Sequence, residues 1–227
     1  MTEKEFKVFH HLSQFVSDHK KEFVEKVLSH RTHHVTVVLE DIFQSQNASA
    51  VIRTCECMGI QDIHIIEMIS KYEINPRVLK GANKWMDLHR YHTPGANNIE
   101  ACFSHLHDQG YKILVADPDE DGASIHDIDV TDSKIALLFG NELRGVSPYA
   151  LQHADQKIRI PMYGFTESMN ISVSVAICLN SLISRLHASA MDFGLSEEEK
   201  NYIRLDWFRK IVKRSDLIER EFLRTIQ

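Results

Sequence analysis

The run from Ile171 to Ser184, ISVSVAICLNSLIS, carries no charge at all. A helix that is apolar nearly all round has to be buried, in a core or against another subunit. The residues before it define what it must be buried beneath. Ile158 and Ile160 form the end of a short apolar strand stopped by Pro161, and a loop through Gly164 leads to a helix opening between Ser168 and Asn170. Ser168, Asn170 and Ser172 then stand at the mouth of a dry wall. Small polar groups and free backbone amides over an apolar floor suit a bound small molecule.

Upstream, strand-like and helix-like segments alternate at short spacing. VTVVLE from Val35, IHII from Ile63, YKILVAD from Tyr111, KIALLFG from Lys134 and QKIRIP from Gln156 read as strands, and LHRYH from Leu88 as a further short one. Helical segments fall between them, at Gln46–Gly59, Asn97–Gln109 and Pro148–His153. Near-continuous apolar strands alternating with helices predict an α/β fold: a mostly parallel sheet covered by helices on both faces. Apolar residues at three- and four-residue steps between Glu3 and Ser29 predict a helix or helix pair, and residues from Ser196 onward a charged amphipathic tail. The expected division is an N-terminal extension (1–34), a central domain (35–190) and a C-terminal tail (191–227).

Several function classes drop out. The N-terminus, MTEKEFKVFHHLSQF, lacks a signal-peptide core, so a cytoplasmic location is expected. The four cysteines show no zinc-ligand spacing and read as buried thiols. His33-His34 and His105-Leu106-His107 lack the i, i+4 geometry of a helical metal site, so no metal is expected. A net charge of −6 is unlike that of a strongly basic nucleic-acid binder. Phosphate contacts are made by patches, however, and Arg209, Lys210 and Lys213 lie in a basic run, with Lys20, Lys21 and Arg31 as further candidates.

Three short stretches carry chemistry. Asn47 reads as the N-cap of the helix after the first strand. Arg53 lies about 9 Å further up the same axis, and its long side chain leans back toward that end. GNELRG, Gly140–Gly145, is a glycine turn at the carboxyl end of a strand, where α/β folds place ligands. Glu142 within it would repel a phosphate and suits a cationic or hydroxyl-bearing ligand, or serves to anchor a backbone amide. Ser168-Met169-Asn170 is the third stretch, again following a strand.

Taken in order, N-A-S-A-V-I-R-T, F-G-N-E-L-R-G-V-S and I-P-M-Y-G-F-T-E-S-M-N-I-S-V-S resemble the three motifs of the SpoU/TrmH family, RNA ribose 2′-O-methyltransferases of the SPOUT class. The similarity runs from about Val35 to Leu186, and both flanks look like the helical extensions of the TrmH branch. Gln46 stands where that branch commonly has His, and Met169 where it has Leu. The resemblance implies a C-terminal trefoil knot, an exception to the usual unknotted path. It implies S-adenosylmethionine as methyl donor, held by Ala116, Leu138, Gly140, Ile160 and Met169. Arg53, Asn47, Glu142, Ser168 and Asn170 match the family's catalytic positions. Homodimers with the active site at the interface, and a D-loop guanosine of tRNA as target, are the further expectations. An rRNA methyltransferase of the same family and a catalytically silent RNA-binding module are the alternatives.

Overall fold

The computed structural model describes residues 1–119 and 121–226. Two helices open the chain, α1 (Glu3–Ser13) and α2 (Asp18–Leu28). Next come β1 (Val35–Glu40), α3 (Ser45–Cys57), β2 (Asp62–Ile66), a single turn α4 (Pro76–Leu79) and β3 (Asp87–Tyr91). They are followed by α5 (Asn98–Asp108), β4 (Tyr111–Ala116), β5 (Ala123–Ser124), β6 (Lys134–Phe139), α6 (Pro148–His153) and β7 (Gln156–Arg159). The long α7 (Ile171–Ala188) leads to α8 (Glu197–Ile211) and α9 (Ser215–Thr225).

The chain forms two compact units, Thr32–Phe193 and, from both ends together, Met1–Arg31 with Gly194–Gln227. The flanks expected as two separate extensions are thus one helical unit. Capping boxes start α1 (Thr2 with Glu5) and α8 (Ser196 with Glu199). Val8 and Leu12 of α1, Val24 and Leu28 of α2, and Trp207 and Phe208 of α8 are among its buried residues. The C-terminal tail is broken in two, because Arg214 adopts a left-handed conformation at φ 56° ahead of α9.

In Thr32–Phe193 every strand pairing is parallel, in the order β3-β2-β1-β6-β4-β7-β5. Alternate residues of each strand feed opposite cores. Val35, Val37 and Leu39 of β1 meet α3 and α7 on one face, through residues such as Val51, Ile52, Val175 and Leu179. Val38, with Ala136 and Leu138 of β6, belongs to the second core with Ile99, Phe103 and Leu106 of α5. α7 is long and apolar enough to cross a membrane by length and composition. Its buried stripe, from Ile171 to Leu186, packs in the first of these cores.

The outer end of the sheet carries a polar cluster that the sequence did not announce. Asp62 on β2 bonds His33 and, at 2.8 Å, His89 Nε2 on β3. Burial pulls the Asp62 carboxyl up, yet the hydrogen bonds from His33 and His89 outweigh it and hold the group well below the usual carboxylate range. The Asp62 bond in turn raises His89 above the ordinary histidine value. The neighbouring His64 is pushed down to about 3 by burial and by His89. Because its folded value is raised, His89 supports the fold at pH below about 6.5, and that support fades as pH rises through the folded value. Asp62 has the opposite sign, contributing at neutral pH and losing its contribution as pH falls. Proton NMR should show His89 titrating above pH 6.5, and Asp62→Asn should return its midpoint toward or below the ordinary value. An unmoved midpoint would show that Asp62 does not set it.

Candidate active site at the crossing of three loops

The chain lays down β1, β2 and β3 in one direction and jumps to β4 on the far side of β1. It then returns to insert β6 between β1 and β4. The loops leaving β4, β6 and β7 therefore meet at the carboxyl ends of adjacent strands, the usual ligand position in open α/β sheets. Together with the mouths of α3 and α7 they enclose a cavity of about 510 Å³. Its floor is apolar, with Ala116, Phe139, Ile158, Ile160 and Met169. Cys178 completes that floor, and burial pushes its thiol up to about 12, so it is a neutral wall. Asn47, Glu142, Ser168 and Asn170 form the polar rim.

Three rim residues make one hydrogen-bonded network. Asn47 Nδ2 donates to Glu142 Oε1 at 2.8 Å, and Asn170 Nδ2 donates to Asn47 Oδ1 at 3.1 Å. Asn170 also caps α7, its Oδ1 accepting from the Ser172 amide at 2.9 Å. Asn47 is not the cap that its sequence position predicts. α3 begins at Ser45 with Gln44 as cap, and Glu142 accepts the Phe43 and Gln44 amides at 2.9 and 3.2 Å. A carboxylate at a helix N-terminus is favoured by the dipole. Asn47 is thereby freed to point into the site.

Glu142 therefore ties the turn to α3, while Asn141 orders the turn itself. Asn141 Oδ1 accepts the Leu143 and Arg144 amides, its backbone exchanges two 2.9 Å bonds with Gly145, and its Nδ2 donates to the Asp41 carbonyl at 2.7 Å. Asp41, just past β1, is buried at φ 55° and accepts the Met68, Ile69 and Ser70 amides on one oxygen. Its other oxygen pairs with Arg144. Neither Asn141 nor Asp41 was singled out in the sequence. A carboxylate at the end of a buried strand was the available signal for Asp41. At Gly140 a Cβ would lie 2.4 Å from the backbone of Gly145 and Val146, so only glycine lets the turn close.

Of the residues expected to hold the cofactor, Ala116, Gly140, Ile160 and Met169 line the cavity. Leu138 does not. It faces the opposite core, and its neighbour Phe139 points to the cavity side, as the two-residue period of a strand requires. Arg53 is exposed on α3 and is not among the cavity's lining residues.

The expected RNA contacts fare unevenly within the helical unit. Arg31 is 1% exposed, with its guanidinium 5.3 Å from the centre of the Trp207 ring, and cannot reach a phosphate. Arg209 is held as a fork by Glu219 at 2.8 and 2.6 Å, Lys210 pairs with Asp206, and Lys21 with Asp18. Lys20 and Lys213 are exposed. Among the described residues, no group of three or more His, Cys, Asp or Glu side chains is placed to hold a metal ion.

Residues 34–180 match the SpoU rRNA Methylase family. The chain is 44% identical over 208 residues to a tRNA (guanosine(18)-2′-O)-methyltransferase of Borreliella burgdorferi, covering 92% of this chain and 93% of that one. The crystal structure of the A. aeolicus TrmH/SpoU tRNA modifying enzyme superposes with a TM-score of 0.76 at 28% identity, covering 87% of this chain and 98% of that one. An AdoMet-bound rRNA methyltransferase from Sinorhizobium meliloti, at 21% identity and TM-score 0.58 over 69% of this chain and 58% of that one, shares the fold. The parallel sheet with its late insertion of β6 is thus the SPOUT-type knotted fold, and the chain belongs to the SpoU methylase family.

Proposed function

We propose that this protein methylates the ribose 2′-hydroxyl of guanosine-18 in the D-loop of tRNA, using S-adenosylmethionine, as a cytoplasmic homodimer. The observation that carries this reading is the Asn47–Glu142–Asn170 network on the rim of an apolar cavity. The Borreliella burgdorferi relative, similar over nearly its whole length, bears the name of that activity.

The cavity fits the methyl donor. Its volume of about 510 Å³ lies within the range of small-molecule sites. Gly140 lines the cavity with the closed turn packed against its Cα, and Ala116, Ile160 and Met169 supply apolar contact. When bound, S-adenosylmethionine supplies a methyl group on a cationic sulfur, chemistry that needs only an aligned nucleophile. The chain's own residues provide the alignment. Asn47 and Asn170 are fixed to each other, and Ser168 stands beside them to orient the ribose.

Arg53 is the remaining catalytic position, and its exposure outside the cavity supports delivery across a dimer interface. Its planar cationic fork grips the adjacent phosphate and stabilises alkoxide charge as the hydroxyl loses its proton. Apolar side chains are also exposed in the first turn of α7 and the loop before it: Tyr163, Phe165 and Val173. Val175, by contrast, is fully buried within its own chain, so a charge there would break the fold before it reported on a dimer. Val173, 46% exposed, is the better probe. Val173→Glu should give a folded monomer by sedimentation and circular dichroism, with methyl transfer lost. A dimer that persists would remove α7 from the interface.

The defining experiment incubates the protein with unmodified tRNA and labelled S-adenosylmethionine and maps the modified nucleotide. A 2′-O-methylguanosine at position 18 is expected, and methylation elsewhere or on rRNA alone would overturn the assignment.

A further inference from the structure

A second groove adjoins the catalytic turn. Its volume is about 490 Å³, and Phe43, Ile69 and Leu143 line it with Lys71 and Arg144. These three apolar side chains are 64%, 75% and 82% exposed, a large apolar area to leave facing water. The backbone beneath them is fixed. Glu142 holds the Phe43 amide, Asp41 holds the amides of residues 68–70, and Arg144 is clamped on Asp41. Polar anchors thus keep three separate loops in place while their apolar side chains point outward. The groove is continuous with the active site, since Asn141 lines both cavities and Glu142 joins Phe43 to the rim. One acid, Glu73, lies on its wall against two cations.

An aromatic face and two cationic side chains beside a ribose-modifying site match the chemistry of an unpaired nucleotide, whose base stacks and whose phosphate pairs. We propose that this groove holds the nucleotide flanking the methylated one, with its base on Phe43 against Ile69 and Leu143 and its phosphate near Lys71 and Arg144. The proposal rests on the RNA methyltransferase reading above and adds to it a subsite that makes Phe43 a specificity-determining residue.

Phe43→Leu keeps an apolar side chain and removes the ring, whereas Phe43→Trp keeps a ring. With unmodified tRNA, Phe43→Leu and Phe43→Ala should raise the KM for RNA about tenfold or more, the scale of one lost base–aromatic stack. Turnover at saturating RNA should fall far less, and Phe43→Trp should remain near the parent protein. Transcripts carrying 2-aminopurine on either side of the target nucleotide supply a readout independent of methylation. Fluorescence should be quenched by the parent protein and by Phe43→Trp but not by Phe43→Leu. Equal KM and equal quenching for Phe43→Leu and the parent would overturn the proposal. So would sedimentation showing that Phe43→Ala separates two copies of the chain, which would make the groove a protein–protein surface. Failure of the function reading looks different: the parent protein would then yield no methylated tRNA, and the 2-aminopurine signal would still show whether the groove takes a base.

Discussion

Arg53→Ala should lower turnover by about a hundredfold or more at saturating RNA and cofactor, on the scale of a lost oxyanion donor. The side chain is exposed on α3, between buried Val51 and Ile52 on one side and Cys55 on the other, so stability should move by no more than about 0.5 kcal/mol. Cofactor affinity should be retained, because Arg53 does not line the cavity. Arg53→Lys should fail as well, since a point-charge ammonium cannot copy a planar fork that grips phosphate and hydroxyl together. Subunit mixing tests where the residue acts. Inactive Arg53→Ala and inactive Asn170→Ala chains, mixed and allowed to exchange, should recover about a quarter of the parent activity if Arg53 works across a two-fold interface. Half of the dimers are then mixed, each with one complete site. No recovery, with exchange demonstrated, would place Arg53 in its own subunit's site or outside the chemistry.

Gly140→Ala should abolish high-affinity cofactor binding in calorimetry and destabilise the protein by about 1–3 kcal/mol, the usual cost of overpacking. The added methyl would lie 2.4 Å from the carbonyl carbon and oxygen of Gly145 and from the Val146 amide nitrogen, all backbone atoms with no rotamer to give. The turn would have to open, breaking the Asn141–Gly145 pairing and moving Glu142 away from Asn47. Gly145→Ala is the control. That glycine sits at φ +69° with open space around its Cβ position, so the change should cost only the left-handed strain of about 1–2 kcal/mol. Equal, mild effects for both substitutions would show that the turn tolerates opening.

The sheet was legible because parallel strands buried on both faces are written as apolar runs, and β1, β4 and β6 are such runs. β5 was not. Two residues, Ala123 and Ser124, have no pattern of their own and become a strand only through pairing with β7. The site shows the same contrast. Asn47, Glu142 and Asn170 could be found from their stretches, but the start of α3 could not, because the carboxylate that receives its first amides comes from the turn after β6. The pairing of Arg209 was illegible for a related reason: its partner, Glu219, lies outside the basic run. Arg31 looked available in sequence, yet it stacks against Trp207 from the other end of the chain. The direction of the Leu138 side chain, toward the second core, was already contained in the two-residue period of its strand.

Because its helical unit is assembled from both ends of the chain, this protein has an order of completion imposed by its synthesis. α1 and α2 leave the ribosome first, but Phe208, which meets Phe9, and Phe222, which stacks on His11, are translated last. At ordinary elongation rates, making Thr32–Phe193 in between takes about ten to thirty seconds. Two eleven-residue helices are marginal alone for all of that time. Val8, Leu12, Val24 and Leu28 therefore spend it uncovered, a waiting client for a chaperone, while the contiguous α/β unit can finish without them. A chain cut short at Phe193 would leave that wait permanent.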